Sequence, residues 1–150
     1  MKRIHKYVLA RVALFAALAL SGCVSITPID LTGTWVGTLE WVNGPAATIQ
    51  QPLSMEILHE DYDLSGYVRL MGPGSQTFDL PITQSDTGGR SIQLTASGTL
   101  TLITPPLPIS IRLEGDFSEM SMSGSGSQTA DGQTYSFTWE LTRTTPIPES

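Results

Sequence analysis

Few side chains in this 150-residue sequence are equipped for acid–base or covalent chemistry. It has a single cysteine, Cys23, and of its two histidines, His5 and His59, only the second follows that cysteine. Catalysis needs a nucleophile with a base, an acid and a base in one cleft, or a metal. His59 extends an alternating apolar run, Leu53, Met55 and Ile57, beside Glu60 and Asp61, where a rim histidine hydrogen-bonded to its neighbours is the expected role. Glu60, Asp61 and Asp63 offer oxygens without the spacing of a calcium loop and read as a solvated hairpin tip. Glu40 and Glu140 could face one another on the first and last strands. Both would sit on the wet face, outside the kind of cleft a glycosidase pair requires. The run Gly124 to Ser127 reads as strand, because no helix follows it to make a phosphate cradle. The residue inventory therefore points to a non-enzymatic protein without a metal or cofactor.

Cys23 itself is explained by what precedes it. Lys2, Arg3, Lys6 and Arg11 form a basic head free of acids, and an uncharged run from Val12 to Leu20 leads to the small residues Ser21 and Gly22. This is the layout of an export signal. Its apolar run is about half the ~20 residues of a spanning helix. Leu20-Ser21-Gly22-Cys23 resembles, at all four positions, the bacterial lipobox. That resemblance implies cleavage after Gly22, a diacylglycerol on the Cys23 sulfur and an acyl chain of the palmitate kind on its new amino group. More than one such chain is enough for stable anchoring. It also implies a lipid-anchored place in the bacterial cell envelope. Val24 is not the aspartate that retains many such lipoproteins in the inner membrane, so the outer membrane is favoured.

Composition narrows the partners. All 14 acidic residues follow Cys23, against Arg69, Arg90, Arg112 and Arg143 and no lysine, a net charge of −10 for the processed chain. Nucleic acid is excluded as a partner, since phosphate binding requires concentrated positive charge. Adsorption to anionic lipid is disfavoured too, leaving membrane attachment to the acyl chains. With only one cysteine, no internal disulfide holds the exported part together. Its 128 residues suit one core. The expected organisation is a signal peptide over 1–22, with helical character, a lipidated tether over 23–30, one domain over 31–143 and a flexible tail over 144–150.

The domain reads as all-β. Apolar and polar residues alternate from Gly33 to Trp41, then through Leu53–Ile57, Leu64–Leu70, Phe78–Ile82, Ile92–Ala96, Leu100–Leu102, Ile109–Leu113, Met120–Gly126 and Tyr135–Leu141, the period of half-buried strands. Turn residues separate them, among them Asn43-Gly44, Gly72-Pro73-Gly74, Asp86-Thr87-Gly88-Gly89 and Asp131-Gly132. Eight or nine short strands joined by tight turns predict an up-and-down antiparallel meander able to close into a barrel.

Leu31-Thr32-Gly33-Thr34-Trp35 resembles the Gly-x-Trp signature of calycins, the superfamily of lipocalins, fatty-acid binders and avidins. In such barrels an arginine or lysine of the last strand packs across the first-strand tryptophan, and Gly33, Trp35 and Arg143 stand in those places. Leu64-Ser65-Gly66-Tyr67 is similar to a strand of avidins. Gly37 replaces the polar residue with which biotin binders contact their ligand, so no avidin ligand residue is carried over.

Trp35, Trp41, Met55, Phe78, Met120, Met122, Tyr135, Phe137 and Trp139 are expected to point inward beside Gly33, Gly37, Gly66, Gly124 and Gly126. Large and small residues then either interlock or leave an apolar cavity. Trp41, Met55, Phe78, Met122, Tyr135, Phe137 and Trp139 are the candidate lining of such a cavity. The leading expectation is a barrel that binds a small apolar or amphipathic ligand. The alternative is a structural or protein-interaction module of the envelope that contacts a partner through its acidic exterior.

Overall fold

A computed structural model describes residues 29–72, 75–101 and 104–144. The expected signal peptide, Cys23, the first part of the tether and the tail beyond Thr144 lie outside the described residues. The strands are β1 (Gly33–Trp41), β2 (Gln50–Glu60), β3 (Asp63–Met71), β4 (Thr77–Gly88), β5 (Ser91–Leu100), β6 (Leu107–Phe117), β7 (Ser121–Ala130) and β8 (Gln133–Arg143). Each pairs with the next, and β8 returns to β1, giving a closed barrel of eight antiparallel strands in meander order. The all-β expectation holds, with eight strands rather than nine. Leu100 ends β5, and Leu102, which would have belonged to the extra strand, lies outside the described residues.

Alternation dictates the core. Trp35, Leu39 and Trp41 of β1 point inward with Leu53, Met55 and Ile57 of β2, and with Ile109, Ile111 and Leu113 of β6, all buried. Where the interior narrows, glycine makes room. A Cβ on Gly126 would lie 2.5 Å from the Phe137 ring, and one on Gly37 would lie 2.0 Å from the Glu140 carbonyl oxygen. Large and small residues thus interlock around Phe137, as in a packed core. Leu31 and Ile29 fold under one end of the barrel, Leu31 fully buried, so the last residues of the predicted tether belong to the domain. Thr144 joins it as well, donating from its backbone N–H to the Thr34 carbonyl at 2.9 Å.

One inward assignment and one turn assignment fail for local reasons. Met120 is 55% exposed, because it sits in the β6–β7 turn before β7 begins at Ser121. The stretch Asp86-Thr87-Gly88 is strand rather than turn, and only Gly89-Arg90 connects β4 to β5. A bulge between Ile82 and Gln84 adds a residue to β4 and reverses the parity beyond it, so Ser85 and Thr87 stand opposite Leu94 and Ile92. A polar pair occupying inward places hides the strand from a search for alternating apolar residues.

The bulge also parts β4 from β3. Their ladder covers only Tyr67–Met71 against Thr77–Pro81. Beyond it side chains replace the backbone bonds. The Leu64 N–H donates to Ser85 Oγ at 2.8 Å, Ser85 Oγ lies 3.3 Å from the Leu64 carbonyl oxygen, and Thr87 Oγ1 donates to the Tyr62 carbonyl at 3.3 Å. Ser85→Ala should cost about 1 kcal/mol, the usual net worth of such a bond. It should also raise hydrogen exchange at the Leu64 amide; unchanged protection there would show that the hydroxyl does not hold the seam.

Candidate functional site

Strand direction divides the barrel into two unlike ends. The base receives the entering segment 29–32 and the turns 61–62, 89–90 and 118–120. Among the described residues the mouth is made by the β1–β2 loop 42–49 and by residues 72, 75–76, 101, 104–106 and 131–132. The base segments hold Asp30, Asp61, Arg90 and Glu119, flanked by Glu60, Asp63 and Asp116. The mouth segments hold one charged residue, Asp131.

At the base, Trp35 pairs with Arg143 across the β1–β8 seam. The guanidinium carbon lies 4.6 Å from the indole ring centroid, with Trp35 fully buried and Arg143 nearly so. This is a cation held over an aromatic face. Arg143 Nη2 donates to the Asp30 carbonyl oxygen, and Trp35 Nε1 donates to the Leu31 carbonyl at 2.9 Å. Both bonds draw the entering segment across the barrel end. Burial pushes the Arg143 guanidinium below its ordinary range, opposed by Asp30 and Glu119. For Asp30, partial burial works against ionisation, but hydrogen bonds from Thr32 with the nearby His59 and Arg143 outweigh it and hold the carboxyl below the usual value of 3.8.

His59 belongs to this base. Its Nδ1 accepts the Leu31 N–H at 3.2 Å, its own N–H donates to Thr32 Oγ1 at 3.0 Å, and Asp30 Oδ1 lies 4.0 Å from Nδ1. An accepting Nδ1 places the ring proton on Nε2, which is buried without a partner. The histidine locks the entering segment in place. Glu40 and Glu140 stand on the outer face, two residues out of register across the β1–β8 ladder, beside a shallow depression with Gln50 and Thr138. Among the described residues no group of three or more His, Cys, Asp or Glu is arranged to hold a metal ion.

The mouth contains a cleft of about 320 Å³. Its walls are Trp41, Leu70, Met71, Phe78, Leu100 and Ile109, with Gly72 and the lid residue Ala46, and its polar side chains are Gln51 and Gln128. The β1–β2 loop is folded over it rather than loose. Thr48 N–H donates to the Trp41 carbonyl at 2.8 Å, Ile49 N–H to the Ala46 carbonyl at 2.9 Å, and Ser136 N–H to Asn43 Oδ1 at 2.7 Å. Gly44 has φ +86°, and a Cβ there would strike the Tyr135 ring at 2.3 Å. Only glycine lets the lid settle on that tyrosine.

Of the seven candidate cavity residues, the structure brings Trp41 and Phe78 to this cleft, while Tyr135 seats the lid. Met55, Met122, Phe137 and Trp139 lie in the buried interior below it. Trp41 meets Phe137 edge to face, with ring centroids 5.3 Å apart. Sequence reasoning missed the rest of the lining as cleft residues: the apolar Leu70, Met71, Leu100 and Ile109, the small Ala46 and Gly72, and the polar Gln51 and Gln128. The two glutamines occupy inward positions of β2 and β7, so strand parity carries the signal that would have found them. Compared with protein-family models, curated proteins and solved structures, the chain gives no significant match. The likeness to calycins therefore rests on the Gly33, Trp35 and Arg143 arrangement and on a closed eight-stranded barrel compatible with that fold.

Arg143→Met keeps length and apolar volume but removes the charge and its hydrogen bond. It should lower unfolding stability by about 2 kcal/mol, from one charge-assisted bond and one cation–aromatic contact; an unshifted urea midpoint would show that the seam does not depend on them. Asp30 gives a pH signature. Because its folded-state pKa is depressed, its contribution is present above the unfolded value and disappears as pH falls through the folded one. The stability difference between the protein and Asp30→Asn should therefore be constant near neutrality and shrink in acid. A difference that does not vary with pH would count against this role.

Proposed function

We propose that the protein is a lipid-anchored lipoprotein of the bacterial envelope whose barrel takes a small apolar or amphipathic molecule at its mouth and performs no reaction on it. The single supporting observation for binding is the mouth cleft, apolar in most of its lining and roofed by an ordered loop. Its volume is at the small end for ligand pockets, which favours a short molecule or one end of a longer chain. The packed interior below, where Phe137 covers Gly126, argues against a ligand deep in the barrel. The non-catalytic reading is supported by the places of the acid–base residues. His59 is committed to the base, and Glu40 and Glu140 lie outside the barrel.

The anchor rests on Leu20-Ser21-Gly22-Cys23 following a basic head and an apolar run. Val24, in place of the retaining aspartate, favours the outer membrane. A second reading, in which the mouth contacts a protein, is favoured by Val42 and Ile49, 62% and 51% exposed on the lid. It predicts a stable complex that survives when the cleft is filled.

Two experiments bear on these readings. When the full chain is expressed in bacteria with labelled palmitate, it should incorporate label and sediment with membranes, whereas Cys23→Ser should do neither. Label on the Cys23→Ser chain would remove the anchor reading. For the cleft, native mass spectrometry with a panel of short-chain amphiphiles should show a one-to-one adduct. Ala46→Phe, which fills the lid side, should weaken binding by at least about tenfold, equivalent to ~1.4 kcal/mol. Equal binding by the filled variant would move the ligand elsewhere.

A further inference from the structure

The three tryptophans are treated differently by the fold. The indole N–H of Trp35 reaches the Leu31 carbonyl and that of Trp139 reaches the Ser125 carbonyl, each at 2.9 Å. The N–H of Trp41 has no acceptor, although the residue is only 7% exposed and the nitrogen is sealed from solvent. A buried donor left unmade is costly, and an acceptor brought to it recovers that cost. Trp41 is also a wall of the mouth cleft.

The rest of the lining restricts what could bring the acceptor. None of the cleft residues is charged, and its polar side chains are two neutral amides, Gln51 and Gln128. The four arginines after Cys23 are elsewhere. Arg143 closes the base, Arg69 is paired with Asp79 on the outer face, Arg112 with Glu114, and Arg90 sits in a base turn. A carboxylate or phosphate entering the cleft would find no counter-ion and would lose its hydration. The excess of acids over the whole domain repels anions further. A quaternary ammonium would escape that repulsion but has no acceptor to offer the indole.

Building on the reading of the cleft as a ligand site, we infer that it selects uncharged molecules carrying a hydrogen-bond acceptor on a short apolar body, the chemistry of a neutral acyl ester or amide, and discriminates against the corresponding fatty-acid anion. The carbonyl oxygen meets the Trp41 N–H once the side chains that now seal that nitrogen shift to admit it. The hydrocarbon lies against Leu70, Phe78, Leu100 and Ile109.

The test compares four probes of similar length on the domain at pH 7: methyl octanoate, octanoate, octyltrimethylammonium and nonane. Methyl octanoate should bind at least about tenfold more tightly than each of the others. Trp41→Phe should reduce its advantage over nonane by about five- to tenfold, the worth of one hydrogen bond, while nonane binding changes little. Octanoate, the ammonium or nonane binding as well as the ester would overturn the selectivity and leave the cleft standing as a ligand site. So would an advantage of the ester that Trp41→Phe leaves intact. Failure of all four probes to bind would remove the ligand reading itself.

Discussion

Closure of β8 onto β1 is the constraint from which the rest of the structure follows. A meander of eight strands that did not close would leave β1 and β8 as edges, each a row of unpaired backbone groups open to another chain. The seven-residue register from Trp35–Arg143 to Trp41–Phe137 removes both edges. It also decides what faces inward on the two strands that must agree. Had β8 shifted by one residue, Phe137, Trp139 and Leu141 would have turned to solvent and Glu140 to the core. The guanidinium over Trp35 works against such a slip, because Arg143 is bonded to the Asp30 carbonyl as well as stacked on the indole. Arginine suits the place because its flat, delocalised charge can stack on an aromatic face and still donate hydrogen bonds at its edge. The burial that makes its ionisation harder is offset only in part by nearby Asp30 and Glu119.

That closure was legible in the sequence because it depends on pattern. Gly33, Trp35 and Arg143 fall on the inward parity of β1 and β8, and two-residue periodicity survives wherever a strand has one dry face. The bulge at Ile82–Gln84 was not legible. An inserted residue changes parity without changing composition, and Ser85 and Thr87 carry no hydrophobic mark to show that they have turned inward. Met120 deceived for the opposite reason, being an apolar residue two places before Met122 but on the turn. The base was legible only in part. His59 reads as a rim residue from its neighbours, whereas its bond to Leu31 needs the entering segment to be folded beneath the barrel. The mouth was the least legible region. Its cleft is made by one or two residues from the ends of each of seven strands, with Gly72 and one lid position, and no local run of sequence records that they converge.

The interior explains why a site would be found at an end rather than in the middle. Eight strands enclose a space just wide enough for side chains to fill, and here Trp35, Leu39, Met55, Ile111 and Phe137 fill it. The inward glycines do not hollow the barrel. At Gly126 the vacated space is taken by the Phe137 ring, and at Gly37 and Gly124 by close approach of the neighbouring backbone. Space reappears toward the mouth, where the inward positions pass from large apolar residues to Gln51, Gly72 and Gln128 and the packing loses partners.

The unequal charge of the two ends gives this geometry a direction. The base gathers most of the loop charge and also receives the chain from the side of Cys23. Residue 29 is already packed against the core, so an anchor at Cys23 would have only residues 24–28 between it and the domain, a span of at most roughly 20 Å. A strand of eleven residues spans ~35 Å before tilt. With such an anchor, that reach would be no longer than the barrel, and the acidic base would stay nearer the bilayer than the mouth. In that arrangement the mouth, with Asp131 as the one charged residue of its connecting segments, would face away from the membrane. Under the proposed binding role, such an orientation would fit uptake of a molecule from the aqueous side better than extraction of one from the anchoring leaflet.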